Sequence, residues 1–278
     1  MVFLLLTLLP MAEPTANWAP PPTESERSAA AALSDAATPE EIRQVAAEQL
    51  DALGESNPSA SVLREAASSG EQADAQRAAE SLTFRPRAEA PLAAGYPNPT
   101  RLHAIEVKKL PAYRQARVAM QAEQPAAGDQ SSVLMRGGES NQAFWNLFGH
   151  IQRNQIAMTA PVRTQYEVEG SDSERPTMQP RSMAFLYGEP DWGQAGADPQ
   201  NANVEVVDVP ARLVVSTAVR SDAADDIAGA RERLIAWLDG QSEYVRDGDL
   251  EILGYNGPMT PPNERLVEVQ IPVRKAEG

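Results

Sequence analysis

Two stretches of this chain read as one unit written twice, and that repetition limits the fold more than any single motif does. Leu110-Pro111-Ala112 in the first stretch answers Val209-Pro210-Ala211 in the second, each set among alternating apolar and β-branched residues. A helical stripe follows in both: Phe144, Leu147, Phe148 and Ile151 at i, i+3, i+4 and i+7, then Ile227, Ala230, Leu234, Ile235 and Leu238. Ser140 stands where it can cap the first of these helices. Each helix gives way to an extended segment closed by proline, Thr159-Ala160-Pro161 and Gly257-Pro258. An alternating strand then ends each unit, through Met183, Phe185 and Tyr187 or through Val267, Val269 and Ile271. The order is β-α-β-β twice, with short connections that favour antiparallel neighbours. The expected fold is therefore α+β: duplicated β-α-β-β units, related by a pseudo-twofold, packing two helices on a curved, barrel-like mixed sheet.

Ahead of this region the grammar differs. Val2 to Leu9 form an apolar run too short for the ~20 residues of a membrane span and suited to the core of an export signal. The expectation is an exported, periplasmic or envelope-associated protein, with the N-terminus available for membrane contact. Pro10, Pro14, Pro20, Pro21 and Pro22 make the next segment a linker, so residues 1–22 form one tract. From Thr23 to Leu82 the chain is rich in Ala, Glu, Gln and Ser, a helix-forming composition with little apolar surface. One helix has a clear start, because Thr38 can cap, Pro39 suits the first helical position and Glu41 completes a capping box. Residues 23–99 are expected to be helical or partly disordered, either a spacer or a partner-binding helix. Pro86, Pro91, Pro97 and Pro99 divide them from a domain at 100–278, whose first strand is marked by His103, Ile105 and Val107. Acidic, Pro- and Gly-containing stretches at 121–138, 169–180 and 188–203 are expected to be surface loops.

Composition removes several chemistries. With 278 residues and 42% apolar side chains the chain can bury a sizeable core. It has no cysteine, which excludes disulfides, thiolate-bound metals and a cysteine nucleophile. The net charge of −15 leaves no basic footprint for a phosphate backbone, so nucleic acid is not an expected partner. Only His103 and His150 can supply imidazole, and both are weak metal-ligand candidates. No glycine-rich phosphate loop, nucleophile elbow or histidine-based metal motif is present.

Chemistry is named by two separated motifs. The first is Phe144-Trp145-Asn146-Leu147-Phe148-Gly149-His150-Ile151 followed by Ile156-Ala157-Met158-Thr159-Ala160-Pro161-Val162. The second is Gly254-Tyr255-Asn256-Gly257-Pro258-Met259, then Asn263-Glu264-Arg265 and Glu268-Val269. In this order they resemble the SOUL family of heme-binding proteins, over roughly residues 100 to 275, with His150 where a tyrosine usually stands. The resemblance implies the duplicated architecture, shared with gyrase-inhibitor-like effector-binding domains, and a non-catalytic protein that holds heme or another tetrapyrrole in an apolar cleft. It places Phe144, Leu147, Phe148, Met158, Tyr255, Pro258 and Met259 around that ligand. A histidine position of some relatives falls on Lys109, leaving heme without a clear protein axial ligand, and positions basic in some relatives fall on Asn141, Gly149 and Thr260. Read from the residues alone, the same apolar stripe also serves as helix core. A module for another amphiphilic small molecule, or an enzyme using Tyr255 with Glu264 or Glu268, remains open.

Overall fold

The computed structural model describes residues 18–120, 137–169, 177–257, 259–261 and 264–276. The signal-like run Val2–Leu9 lies outside them. Among the described residues no helix is long and apolar enough to cross a membrane.

Four helices come first: α1 (Glu24–Asp35), α2 (Pro39–Leu53), α3 (Ala60–Ser69) and α4 (Gln72–Thr83). Thr23 and Thr38 each close a capping box, with Glu26 and Glu41, at the starts of α1 and α2. Their alanines serve a packing purpose. Ala29, Ala30, Ala46, Ala66, Ala75 and Ala78 are buried with Leu33, Ile42, Leu63 and Leu82, so four short helices approach closely around a common core. Ala104, from beyond the linker, is buried in the same core. Arg233 joins the two regions by donating to the Glu65 carboxylate (2.8 Å) and to the His103 carbonyl (2.8 Å).

The remainder is one sheet with two helices. Its strands are β1 (Glu106–Leu110), β2 (Tyr113–Ala119), β3 (Val162–Glu169), β4 (Thr177–Leu186), β5 (Gly196–Asp198), β6 (Asn201–Val209), β7 (Arg212–Val219), β8 (Tyr244–Arg246), β9 (Leu250–Gly254) and β10 (Val267–Lys275). Helix α5 (Gly137–Arg153) follows β2, and α6 (Ala224–Asp239) follows β7. Because α5 begins at Gly137, Ser140 lies inside the first turn and is not the cap. The sheet order is β1-β7-β10-β9-β3-β4-β2-β6-β5, with β8 against β10, and every named pair is antiparallel. The expected mixed sheet is thus corrected. Each helix crosses over an intervening strand, β4 or β10, so strands joined by a helix never become neighbours. The strand β5 also occupies part of a stretch expected to be loop.

The order has a consequence for shape. β1 and β2 do not continue one another: they lie six places apart, roughly 29 Å if the sheet were flat at ~4.8 Å per strand. Only Pro111 and Ala112 connect them, a reach of at most about 11 Å from Leu110 to Tyr113. Pro210 and Ala211 impose the same condition on β6 and β7. The sheet must curl until its margins approach. Its inner face accordingly gathers Leu110, Tyr113, Leu186, Val214 and Leu253 from distant strands into one cluster. The outer face packs Met183, Phe185 and Val206 on α5, and Ile252, Val269 and Ile271 on α6.

Candidate functional site

The amphipathic stripe of α5 divides its work. Leu147 and Ile151 are buried in the sheet-facing core, whereas Phe144 and Phe148, also against that core, keep part of their surface open. The two rings stack in near-parallel planes (centroids 6.0 Å, 11°), and Phe144 meets Phe185 edge-on at 5.2 Å. Facing them is the seam where β3 pairs with β9, Val162 opposite Gly254. A glycine here contributes no side chain, and a cavity of about 260 Å³ lies between helix and seam. Phe144 and Phe148 line it from α5, Met158, Val162 and Met183 line it from β3, β4 and the segment ahead of β3, and the segment Gly254–Gly257 with Leu266 and Val267 forms a second wall.

That second wall is fixed by a chain of hydrogen bonds. The Tyr255 N–H donates to the Leu266 carbonyl (3.2 Å), the Leu266 N–H to Asn256 Oδ1 (2.8 Å), and Asn256 Nδ2 to the Arg87 carbonyl (2.7 Å). Glu89 accepts from the Gly257 N–H (2.7 Å) and from the Thr260 hydroxyl. Glu89 and Ala90 themselves line the cavity, and the Ala90 carbonyl accepts from the Trp18 indole (3.0 Å), whose ring leans on Tyr255 at 5.4 Å. The Ala160 N–H donates to the Pro91 carbonyl (2.8 Å), and Ala160-Pro161 is a cis peptide. Residues 84–96 thus form a strap across the domain.

The Tyr255 hydroxyl donates to the buried Glu268 (2.7 Å). Glu268 also holds Lys108 and Thr100 in a buried cluster. Burial pushes the Glu268 carboxyl up, but the Lys108 ammonium and these donors outweigh it and hold the group below the usual range. Tyr255 moves the other way, raised well above an ordinary phenol by burial and then by the neighbouring Glu268 charge. It is a proton holder at neutral pH, not a base.

The residues singled out from sequence separate into groups. Phe144, Phe148, Met158 and Tyr255 line the cavity. Leu147 does not, being core. Pro258 lies outside the described residues. Met259 projects from the loop with 92% of its surface exposed, and Lys109 is exposed on β1, opposite Leu213. The strand turns Lys108 inward instead, by the alternation of a pleated strand. His150 is buried and both its ring nitrogens are engaged, Nδ1 with Asp198 (2.6 Å) and Nε2 with the Tyr187 hydroxyl (2.7 Å). His103 pairs with Glu80 of α4 (3.1 Å), and burial pushes its imidazole down despite that carboxylate. Neither histidine reaches the cavity, and among the described residues no cluster of His, Asp and Glu could hold a metal ion. Sequence reasoning missed Glu89, Ala90 and Asp222, and it quoted Arg265 in the second motif without giving it a role. The first two precede both motifs, and no local pattern marks residues that meet a cleft only through tertiary packing.

The comparisons with known proteins bear on the domain that holds this cavity. No curated protein matches the chain. Solved structures with a similar course include EcmrR in a DNA complex (14% identity, TM-score 0.42, 62% of this chain and 57% of that one) and the EcmrR C-terminal domain (16%, 0.42, 63% and 99%). An uncharacterized conserved protein from Listeria innocua is also similar (11%, TM-score 0.46, 62% and 93%). The chain therefore spans just over half the length of EcmrR in that complex. The sequence model described as SOUL heme-binding protein matches residues 96–272, which take in α5, the seam and the Gly254–Gly257 wall. The chain belongs to the SOUL heme-binding protein family.

Proposed function

We propose that this protein binds heme or a related tetrapyrrole in the cavity between α5 and the β3–β9 seam, without catalysing a reaction on it. The observation that carries the reading is the lining itself: Phe144, Phe148, Met158, Gly254, Leu266 and Val267 line one largely apolar gap inside the family-matched region. Burial of flat apolar surface contributes ~25 cal/mol per Å², and aromatic rings and thioethers suit a polarisable macrocycle. At about 260 Å³ the cavity encloses part of such a ligand. Trp145, 62% exposed and edge-on to both Phe144 and Phe148 at 5.6 Å, carries the apolar wall outward over the rest. The residues fit the faces of the macrocycle, and neither imidazole reaches the cavity to ligate its iron. The non-catalytic reading is supported by Tyr255, whose proton is committed to Glu268. We also read the strand order as duplication. Exchanging β1, β2, β3 and β4 for β6, β7, β9 and β10 reverses the run β1-β7-β10-β9-β3-β4-β2-β6 onto itself, and the cavity lies at its centre.

Titrating the full chain with hemin tests the proposal. A saturable Soret change at micromolar protein is expected, with quenching of tryptophan emission that weakens in Trp145→Phe. Phe148→Ala should loosen binding about tenfold, by loss of one aromatic face. Absence of a saturable change in the unaltered protein would overturn the reading.

A further inference from the structure

We infer that Glu89, on the strap ahead of the family-matched residues, sets the charge preference of the cavity, which takes a tetrapyrrole with an uncharged periphery in preference to one bearing carboxylates. The inference rests on the tetrapyrrole reading and refines it.

Among the described residues, three side chains that are charged at neutral pH line the cavity: Glu89, Asp222 and Arg265. The guanidinium is committed to its surroundings, with Nε donating to the Thr260 carbonyl (2.7 Å) and Nη1 lying 3.6 Å from Asp222. The formal balance of the lining is two negative charges against one positive, a net −1. No lysine redresses it. Lys108 is buried with Glu268, Lys109 is exposed on β1, and Lys275 lies at the end of β10 beside Glu243. The chain as a whole adds a field of the same sign, at −15.

Glu89 is distinguished from Asp222 by its partners. Its carboxylate accepts from two neutral donors, the Gly257 amide and the Thr260 hydroxyl, and among the described residues no cation pairs with it. Those donors fix its position without neutralising it. Gly257 permits the approach, since a Cβ there would lie 3.1 Å from the Glu89 carboxylate. A ligand carboxylate entering the cavity would meet an uncompensated like charge on a half-buried side chain that solvent and salt still reach. The macrocycle faces are indifferent to this charge, so the effect falls on the periphery alone. Glu89 lies on the strap ahead of residue 96, where the family match begins.

The test compares hemin with its dimethyl ester, which share a macrocycle and differ in two carboxylates. Binding of each to the full chain is measured in the same detergent at low and high salt. The ester should bind about tenfold tighter at low salt, and salt should narrow the gap by improving the free acid, as screening of like charge requires. Glu89→Gln, which keeps an acceptor for the Gly257 amide, should bring the two ligands to within about threefold. Equal or tighter binding of the free acid by the unaltered protein would overturn the inference while leaving the tetrapyrrole reading intact. A preference for the ester that neither salt nor Glu89→Gln alters would overturn it as well. Failure of both ligands to bind would sink the two readings together.

Discussion

Glu251 shows what a single buried charge does in this fold. It sits on the inner face of the sheet, where Arg163, Arg212 (2.8 Å to each oxygen) and Gln270 (2.6 Å) all donate to it. Burial pushes its carboxyl up, and the two guanidinium groups reverse that and hold it at about 2. A carboxyl depressed in the folded state contributes stability that is complete above the unfolded value of 4.5 and is lost as pH falls towards about 2. Glu268, lowered by Lys108, works in the same direction. Urea unfolding at stepped pH should therefore show stability dropping between about 4.5 and about 2. Glu251→Gln should flatten that limb and cost about 3–5 kcal/mol at pH 7, because two buried guanidinium groups lose their counter-charge. An unchanged acid limb in the variant would contradict the assignment. His150 teaches a related lesson: the sequence placed it beside the apolar stripe of α5, yet only the fold brings Asp198 and Tyr187 to its two nitrogens.

At the scale of elements, the N-terminal helices depend on one glycine. Gly70 ends α3 in the left-handed region (φ 70°), and its Cα faces α2 so closely that a Cβ would stand 2.6 Å from the Pro39 carbonyl oxygen. Gly70→Ala combines a conformational penalty with a backbone clash, and about 2–3 kcal/mol of destabilisation is expected in thermal or urea unfolding. A loss below about 0.5 kcal/mol would show that α2 and α3 can separate freely. Elements governed by local rules were legible in the sequence. The Thr38-Pro39-Glu41 start of α2, the stripes of α5 and α6, and the alternation in β4 and β10 all depend on nearest neighbours along the chain. Elements governed by pairing were not. β5 is three residues with no pattern of its own, and β1 and β2 look continuous although they lie at distant places in the sheet.

The whole molecule couples the helical region to the sheet through side chains that no motif announces. Ala104 enters the helical core, Arg233 spans to Glu65, and Trp18 and Glu89 reach the cavity wall. Calorimetry should accordingly record one unfolding transition for the full chain, and Arg233→Ala, which removes the bond to Glu65 across the two regions, should lower or split it. Two well-separated transitions in the unaltered protein would refute that coupling. The same contacts explain why the candidate site was half legible. Phe144, Phe148, Met158 and Tyr255 belong to recurrent sequence patterns, whereas Glu89 and Ala90 come from a proline-rich stretch with the look of a linker. The Pro-Ala links at 111–112 and 210–211 carry one more implication. In the duplication proposed above, each half lends its leading strand to the opposite margin, β1 to β7 and β6 to β2, so the halves are interlaced like clasped hands. On that reading, neither half can be excised or lost by truncation without baring an edge of the other.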